Sequence, residues 1–199
     1  MDTSRDVSVI FNDRTYSDLL VKVDGAEYHC HKCIVFSASE QFRNMCKPGA
    51  RKGKHELHFS HKYTKASIKQ MLLFVYGACE ADVLGDGPDP DGHIRICIAA
   101  HDFGLPKLLE MAVTCLRLAL EGWVEDAAYL ANCIRWMRND DTGVPELAAL
   151  ADEVEIEQMP FMLRNDEARA SMDGSTIRAF LDRVLIMKKE DATGKMPLH

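Results

Sequence analysis

The apolar positions of this 199-residue chain change period several times, and each change marks an element. Val7-Ser8-Val9-Ile10-Phe11 is an apolar patch ahead of the turn-like Asn12-Asp13. Asp18-Leu19-Leu20-Val21-Lys22-Val23 follows, with Val21 and Val23 on one strand face. Asp24-Gly25 is a hairpin turn signal, so the return strand, Glu27 to His31, is antiparallel. The spacing then becomes helical. Ile34, Val35, Phe36, Phe42, Met45 and Cys46 predict two short helices about Ser37-Ala38-Ser39, with Ser39 capping the second.

After a basic loop from Lys47 to Lys54, Glu56-Leu57-His58-Phe59 reads as a third strand, Leu57 and Phe59 inward. Ile68, Met71, Leu72, Val75 and Tyr76 recur at helical spacing over 64–78, and Gly77 ends that helix. Residues 80–92, rich in Asp, Gly and Pro, predict a long acidic loop. A helix over about 93–103 stops at Gly104, and Pro106 opens the next at the position proline favours. Three further stripes follow. One runs from Trp123 to Ile134, one from Leu147 to Val154, and one takes in Ile177, Phe180, Leu181, Val184 and Leu185. The residues from Asp191 onward predict a loose tail.

Composition narrows the function classes. At 47% hydrophobic and 28% charged the chain suits a folded globular protein and not a disordered one. The longest apolar runs, such as Met71–Tyr76, are far shorter than the roughly 20 residues a membrane span needs. Met1–Asp6 carries acids and no apolar stretch, unlike a secretory leader, so the expected location is intracellular, cytoplasmic or nuclear. Seven cysteines, an odd number and mostly within apolar stretches such as Ile96-Cys97-Ile98, are expected to be reduced core residues.

The net charge is −7, yet Gln41 to Cys79 carries +7, leaving −14 for the rest. Such separation can steer an acidic partner or a second copy. Nucleic acid is disfavoured, because the basic residues lack interleaved aromatics.

Several motifs resemble chemistry and fail on spacing. Cys30 and Cys33 have a zinc-type gap, but no second pair completes four ligands, and strand alternation sets His29 and His31 opposite Cys30. His55-Glu56-Leu57-His58 puts its histidines three apart on a strand, where the metalloprotease pattern needs four on a helix. Aligning Gly92 on the glycine of a calcium loop puts Gly87 at the first acid and Ile98 at the last. No phosphate loop, nucleophile elbow or dinucleotide fingerprint is present. The expectation is no cofactor, no metal and no catalytic residues.

The order of elements resembles the BTB/POZ family. The resemblance is carried by Ser17–Val23, by His31-Lys32-Cys33-Ile34-Val35-Phe36-Ser37-Ala38-Ser39 with Phe42, by Leu73-Phe74-Val75-Tyr76-Gly77 and by Ala99–Leu108 with its Phe103-Gly104-Leu105-Pro106. The acidic insert and helical C-terminus look most like fungal members. The resemblance implies an α+β fold, a small sheet capped by helices, over 17–120. A segment over 1–16 would hold a dimerisation helix, a helical extension would span 121–190, and a flexible tail 191–199.

It also implies a non-catalytic interaction module with protein partners, most often a homodimer. Val7, Val9, Ile10 and Phe11 would pack on the second copy, with Asp18 and Lys32 as a charged pair at the interface. The alternative that Asp18 only caps or turns the chain stays open, as does packing of the apolar patch on its own core. Met45, Arg51, Lys52 and Lys54 are candidates for docking a further partner. Cullin-ligase adaptors of this family often carry a hydrophobic-x-Glu motif after the Phe-containing helix. Here Ala50 and Lys52 stand at those places, a reversed charge that disfavours a cullin scaffold. A metal-dependent enzyme is the remaining alternative. Elemental analysis of the purified protein is expected to give a zinc ratio near zero, and stoichiometric zinc would reverse the reading of Cys30 and Cys33.

Overall fold

The hairpin at residues 19–30 sets the sheet. The computed structural model describes residues 7–46, 55–85, 89–122, 126–139, 141–172, 174, 177, 178 and 181. Strand β1 (Leu19–Val23) pairs antiparallel with β2 (Ala26–Cys30), Val21 opposite Tyr28. Asp24 and Gly25 turn the chain at φ of 45° and 75°, the left-handed pair a two-residue hairpin needs. Helices α1 (Lys32–Ala38) and α2 (Glu40–Met45) carry the chain back to β3 (His55–His58), which pairs parallel to β1. Between two neighbours, β1 buries Leu19, Leu20, Val21 and Val23. Lys22 reaches Glu27 on one neighbour at 3.4 Å and Glu56 on the other at 3.0 Å. Its ammonium hydrogen-bonds Glu56 and holds that carboxyl below the usual range.

Ser39 is the cap the sequence predicts. Its hydroxyl accepts from the Phe42 N–H at 3.4 Å and donates to the Phe103 carbonyl at 2.6 Å, tying α2 to the far helices. Below it Phe42, Phe59, Tyr63 and Phe103 cluster, Phe42 on Phe59 and Tyr63 on Phe103 edge to face, Phe42 and Phe103 tilted with centroids 4.5 Å apart. Helix α3 (Lys65–Val75) opens on a Thr64–Ser67 capping box and closes where Gly77 turns at φ 78°.

Two expectations need correction here. The stretch 80–92 is not all loop. Glu80–Leu84 forms a short helix, α4, that buries Val83 and Leu84. Helix α5 begins at Pro90, three residues before the sequence pattern suggests, and runs to Asp102. Its cap is Asp89, which accepts from Gly92 N–H at 3.0 Å. A β-carbon on Gly92 would stand 2.1 Å from Asp89 Oδ2, so glycine makes room for that carboxylate.

The second correction is at the N-terminus. Among the described residues the segment forms a single 3-10 turn, Ser8–Ile10, rather than an α-helix; the turn ends at the extended Phe11, and Asn12 follows at φ 59°.

Helices α6 (Pro106–Gly122), α7 (Ala127–Met137), α8 (Pro145–Met162) and α9 (Asp166–Ser171) complete the described chain. Helix α6 packs on α5 and α8, and α7 on α8 and α9. Of the stripe predicted from Trp123 to Ile134, Trp123 lies outside the described residues and Ala127 to Ile134 faces inward, as does Leu147–Val154; buried residues from Leu19 to Ala168 form one apolar core. Most of the stripe from Ile177 to Leu185, and the tail, lie outside the described residues.

Charged pairs fasten the last helices. Arg138, at the end of α7, pairs with Glu155 and Asp152 of α8, and Glu155 is fully buried. Removing one member of a buried pair strands the other charge. Arg138→Ala is therefore expected to cost about 3 kcal/mol in urea unfolding. Arg138→Met with Glu155→Leu is expected to recover most of that loss, and equal losses in both variants would show the pair to be incidental.

Candidate protein-interaction surface

Tyr76 closes α3 with its side chain fully buried, beside the start of α1. Its hydroxyl accepts from the His31 N–H at 2.7 Å and lies 2.9 Å from His31 Nδ1. The other ring nitrogen, Nε2, is 3.2 Å from the Thr15 carbonyl, which can only accept. That places a proton on Nε2, and in the neutral ring Nδ1 then accepts from Tyr76 O–H. Burial and the adjacent Cys30 push the Tyr76 phenol well above its ordinary pKa, so it remains a donor. The Tyr76 carbonyl accepts from the Val7 N–H at 3.0 Å, and the Phe11 ring packs on the Tyr76 ring at 5.4 Å and the Tyr28 ring at 6.0 Å.

The apolar N-terminal patch therefore divides. Val7 and Phe11 are half-buried against their own core. Val9 is 84% exposed and Ile10 37%, and Tyr16 farther along is 92% exposed. Adjacent apolar side chains thus face opposite ways across one short turn.

Asp18 and Lys32 lie together within the chain, with the carboxylate half-exposed. Asp18 Oδ1 accepts from the Lys32 N–H at 2.8 Å and Oδ2 lies 4.0 Å from Lys32 Nζ. The carboxylate thereby serves a free amide of the first turn of α1, since His31, the cap residue, makes no side-chain bond there. The capping role is visible within the chain.

Of the proposed docking residues, Met45 ends α2 and is 40% exposed, while Arg51, Lys52 and Lys54 lie outside the described residues with Ala50. Within the basic stretch, Arg43 donates to the Phe36 carbonyl at 2.7 Å and Lys62 pairs with Asp102 at 2.6 Å, leaving Lys65 and Lys69 toward solvent.

A cavity of about 320 Å³ lies where α3 and α5 begin, lined by Lys65, Gln70, Asp89, Asp91 and Arg95 among others. Its polar groups are largely engaged. Asp89 caps α5, Asp91 accepts from Tyr129 O–H at 3.0 Å, and Arg95 lies over the Trp136 ring at 4.8 Å. Sequence reading did not bring these residues together, because the pairing depends on how α7 returns onto α5.

Among the described residues no group of three or more His, Cys, Asp or Glu is placed to hold a metal ion. His31 is spent on Tyr76 and Thr15, and His29 Nε2 accepts from Arg14 Nε at 3.1 Å.

The cysteine expectation also needs correction. All seven thiols are free, but only Cys30, Cys97 and Cys133 are buried, whereas Cys33 and Cys79 are exposed. Burial pushes the Cys30 and Cys97 thiols up to about 12 and Cys133 to about 11. A disulfide reagent at pH 8 is expected to take Cys33 and Cys79 quickly and to reach the buried three only on unfolding. The unfolded chain releases thiol protons at about 8.5, well before the native one. Stability should thus fall as pH rises from about 9 toward 12. Fast labelling of all seven would contradict the burial.

No helix among the described residues is long and apolar enough to cross a membrane. No curated protein matches the chain. The family model of the BTB/POZ domain matches residues 8–116, more than half of the chain and the whole stretch from the N-terminal turn through most of α6. With that match on this three-stranded sheet and its surrounding helices, the chain belongs to the BTB/POZ domain family.

Proposed function

We propose that this protein is a non-catalytic interaction module that pairs with a second copy of itself through the N-terminal turn and recruits a further protein on another face. The family is generally one of protein–protein interaction modules, which supports the coarser part. The observation that carries the finer part is the split turn. Val9 and Ile10 stand out to solvent on a segment whose neighbours Val7 and Phe11 are tied to the core. Apolar side chains held outward on an ordered backbone gain by burial in a partner. A twofold pairing sets the same patch on both copies.

Phe11 leaves the partner-facing set, because its ring is occupied within the chain. The adaptor reading draws on the loop holding Ala50 and Lys52, whose sequence opposes it, and no described feature favours it.

Light scattering over a concentration series is expected to show a wild-type dimer. Val9→Asp with Ile10→Asp should give a folded monomer, because the change leaves Phe11 and Val7 in place. A wild type that is monomeric throughout would overturn the homodimer. Co-elution with a cullin N-terminal domain would instead favour the adaptor.

A further inference from the structure

We infer that Asn12 is the positioning residue that seats the partner-facing turn, an inference that rests on the homodimer reading above. Strand β2 lies at the edge of the sheet, so the outward N–H and C=O of His29 have no strand to meet. Asn12 meets both. Its backbone N–H donates to the His29 carbonyl at 3.1 Å, and its side-chain Oδ1 accepts from the His29 N–H at 2.9 Å. One residue thus stands in for a paired strand.

That double contact needs the backbone N–H and the side-chain carbonyl on the same side of the chain. Asn12 achieves it at φ 59°, a left-handed conformation that asparagine bears better than most side chains. The 3-10 turn itself ends at Phe11, extended at φ −64° and ψ 133°, so Asn12 follows directly on the turn and fastens it.

The consequence for the surface is geometric. The turn is held in front by Val7 N–H on the Tyr76 carbonyl and behind by Asn12 on His29. Val9 and Ile10 lie between these two fastenings. Without the rear one, the turn hinges about the Phe11 ring and its apolar pair loses its fixed place relative to the sheet. A partner copy would then have to order the segment on binding, at a cost in affinity.

Asn12→Gly isolates the side chain, because glycine keeps the positive φ and the backbone N–H. Asn12→Asp restores an acceptor at the same atom. The dimer dissociation constant, from sedimentation over a concentration series, is expected to rise about tenfold for Asn12→Gly and to return within about twofold of wild type for Asn12→Asp. In dilute, monomeric protein the His29 amide should exchange about tenfold faster in Asn12→Gly, while the thermal midpoint stays within a few degrees. A general structural role would move the midpoint instead.

An Asn12→Gly dimer as tight as wild type, alongside a Val9→Asp/Ile10→Asp monomer, overturns the role of Asn12 and leaves the homodimer standing. An unchanged His29 exchange rate overturns it as well. A dimer that survives Val9→Asp/Ile10→Asp removes the homodimer reading of this turn, and the inference with it.

Discussion

The Tyr76 hydroxyl stands where three pieces of chain meet. It satisfies the His31 N–H at the junction of β2 and α1 and donates to the His31 ring, which reaches Thr15 of the N-terminal segment. In the buried setting of this phenol the His31 N–H would otherwise be an orphan, at a cost of about 1–3 kcal/mol. The Tyr76 carbonyl and ring add Val7 and Phe11 to the same post. The front of the outward turn is therefore placed by the end of α3, as its rear is by Asn12 on β2.

Much of the fold was legible because its signals are local. Asp24-Gly25 can do little but turn a hairpin, and Ser39 caps the helix the pattern predicts. Val21 and Val23 share a strand face in sequence, and both are buried in β1; the burial of Leu20 on the other face was not read there. Helix α4 was hidden because Gly85, Gly87 and Pro88 flank a run of only five residues, too short for a periodicity to show. Its helical state owes more to the burial of Val83 and Leu84 than to propensity.

The site was less legible, for a specific reason. Val9, Ile10 and Phe11 are alike in composition, and only the pitch of a 3-10 turn decides which of them faces Tyr76. Asn12 reads in sequence as a generic turn residue, and its double bond to His29 needs the edge of a sheet formed elsewhere. Cysteines misled in the same way. Apolar neighbours in sequence do not fix where a side chain points at the first turn of a helix, which is where Cys33 lies.

The parallel pairing of β3 with β1 carries a consequence for how the chain reaches this state. The hairpin can close within microseconds, because β2 follows two residues after β1. Strand β3 cannot join until α1, α2 and the basic loop have been gathered between Val21 and Leu57, and that closure costs chain entropy before any ladder bond repays it. During that interval β1, the most apolar strand, has one open edge. The charged Lys22 near the end of that edge, later paired with Glu56, makes the waiting strand a poor template for a stray neighbour.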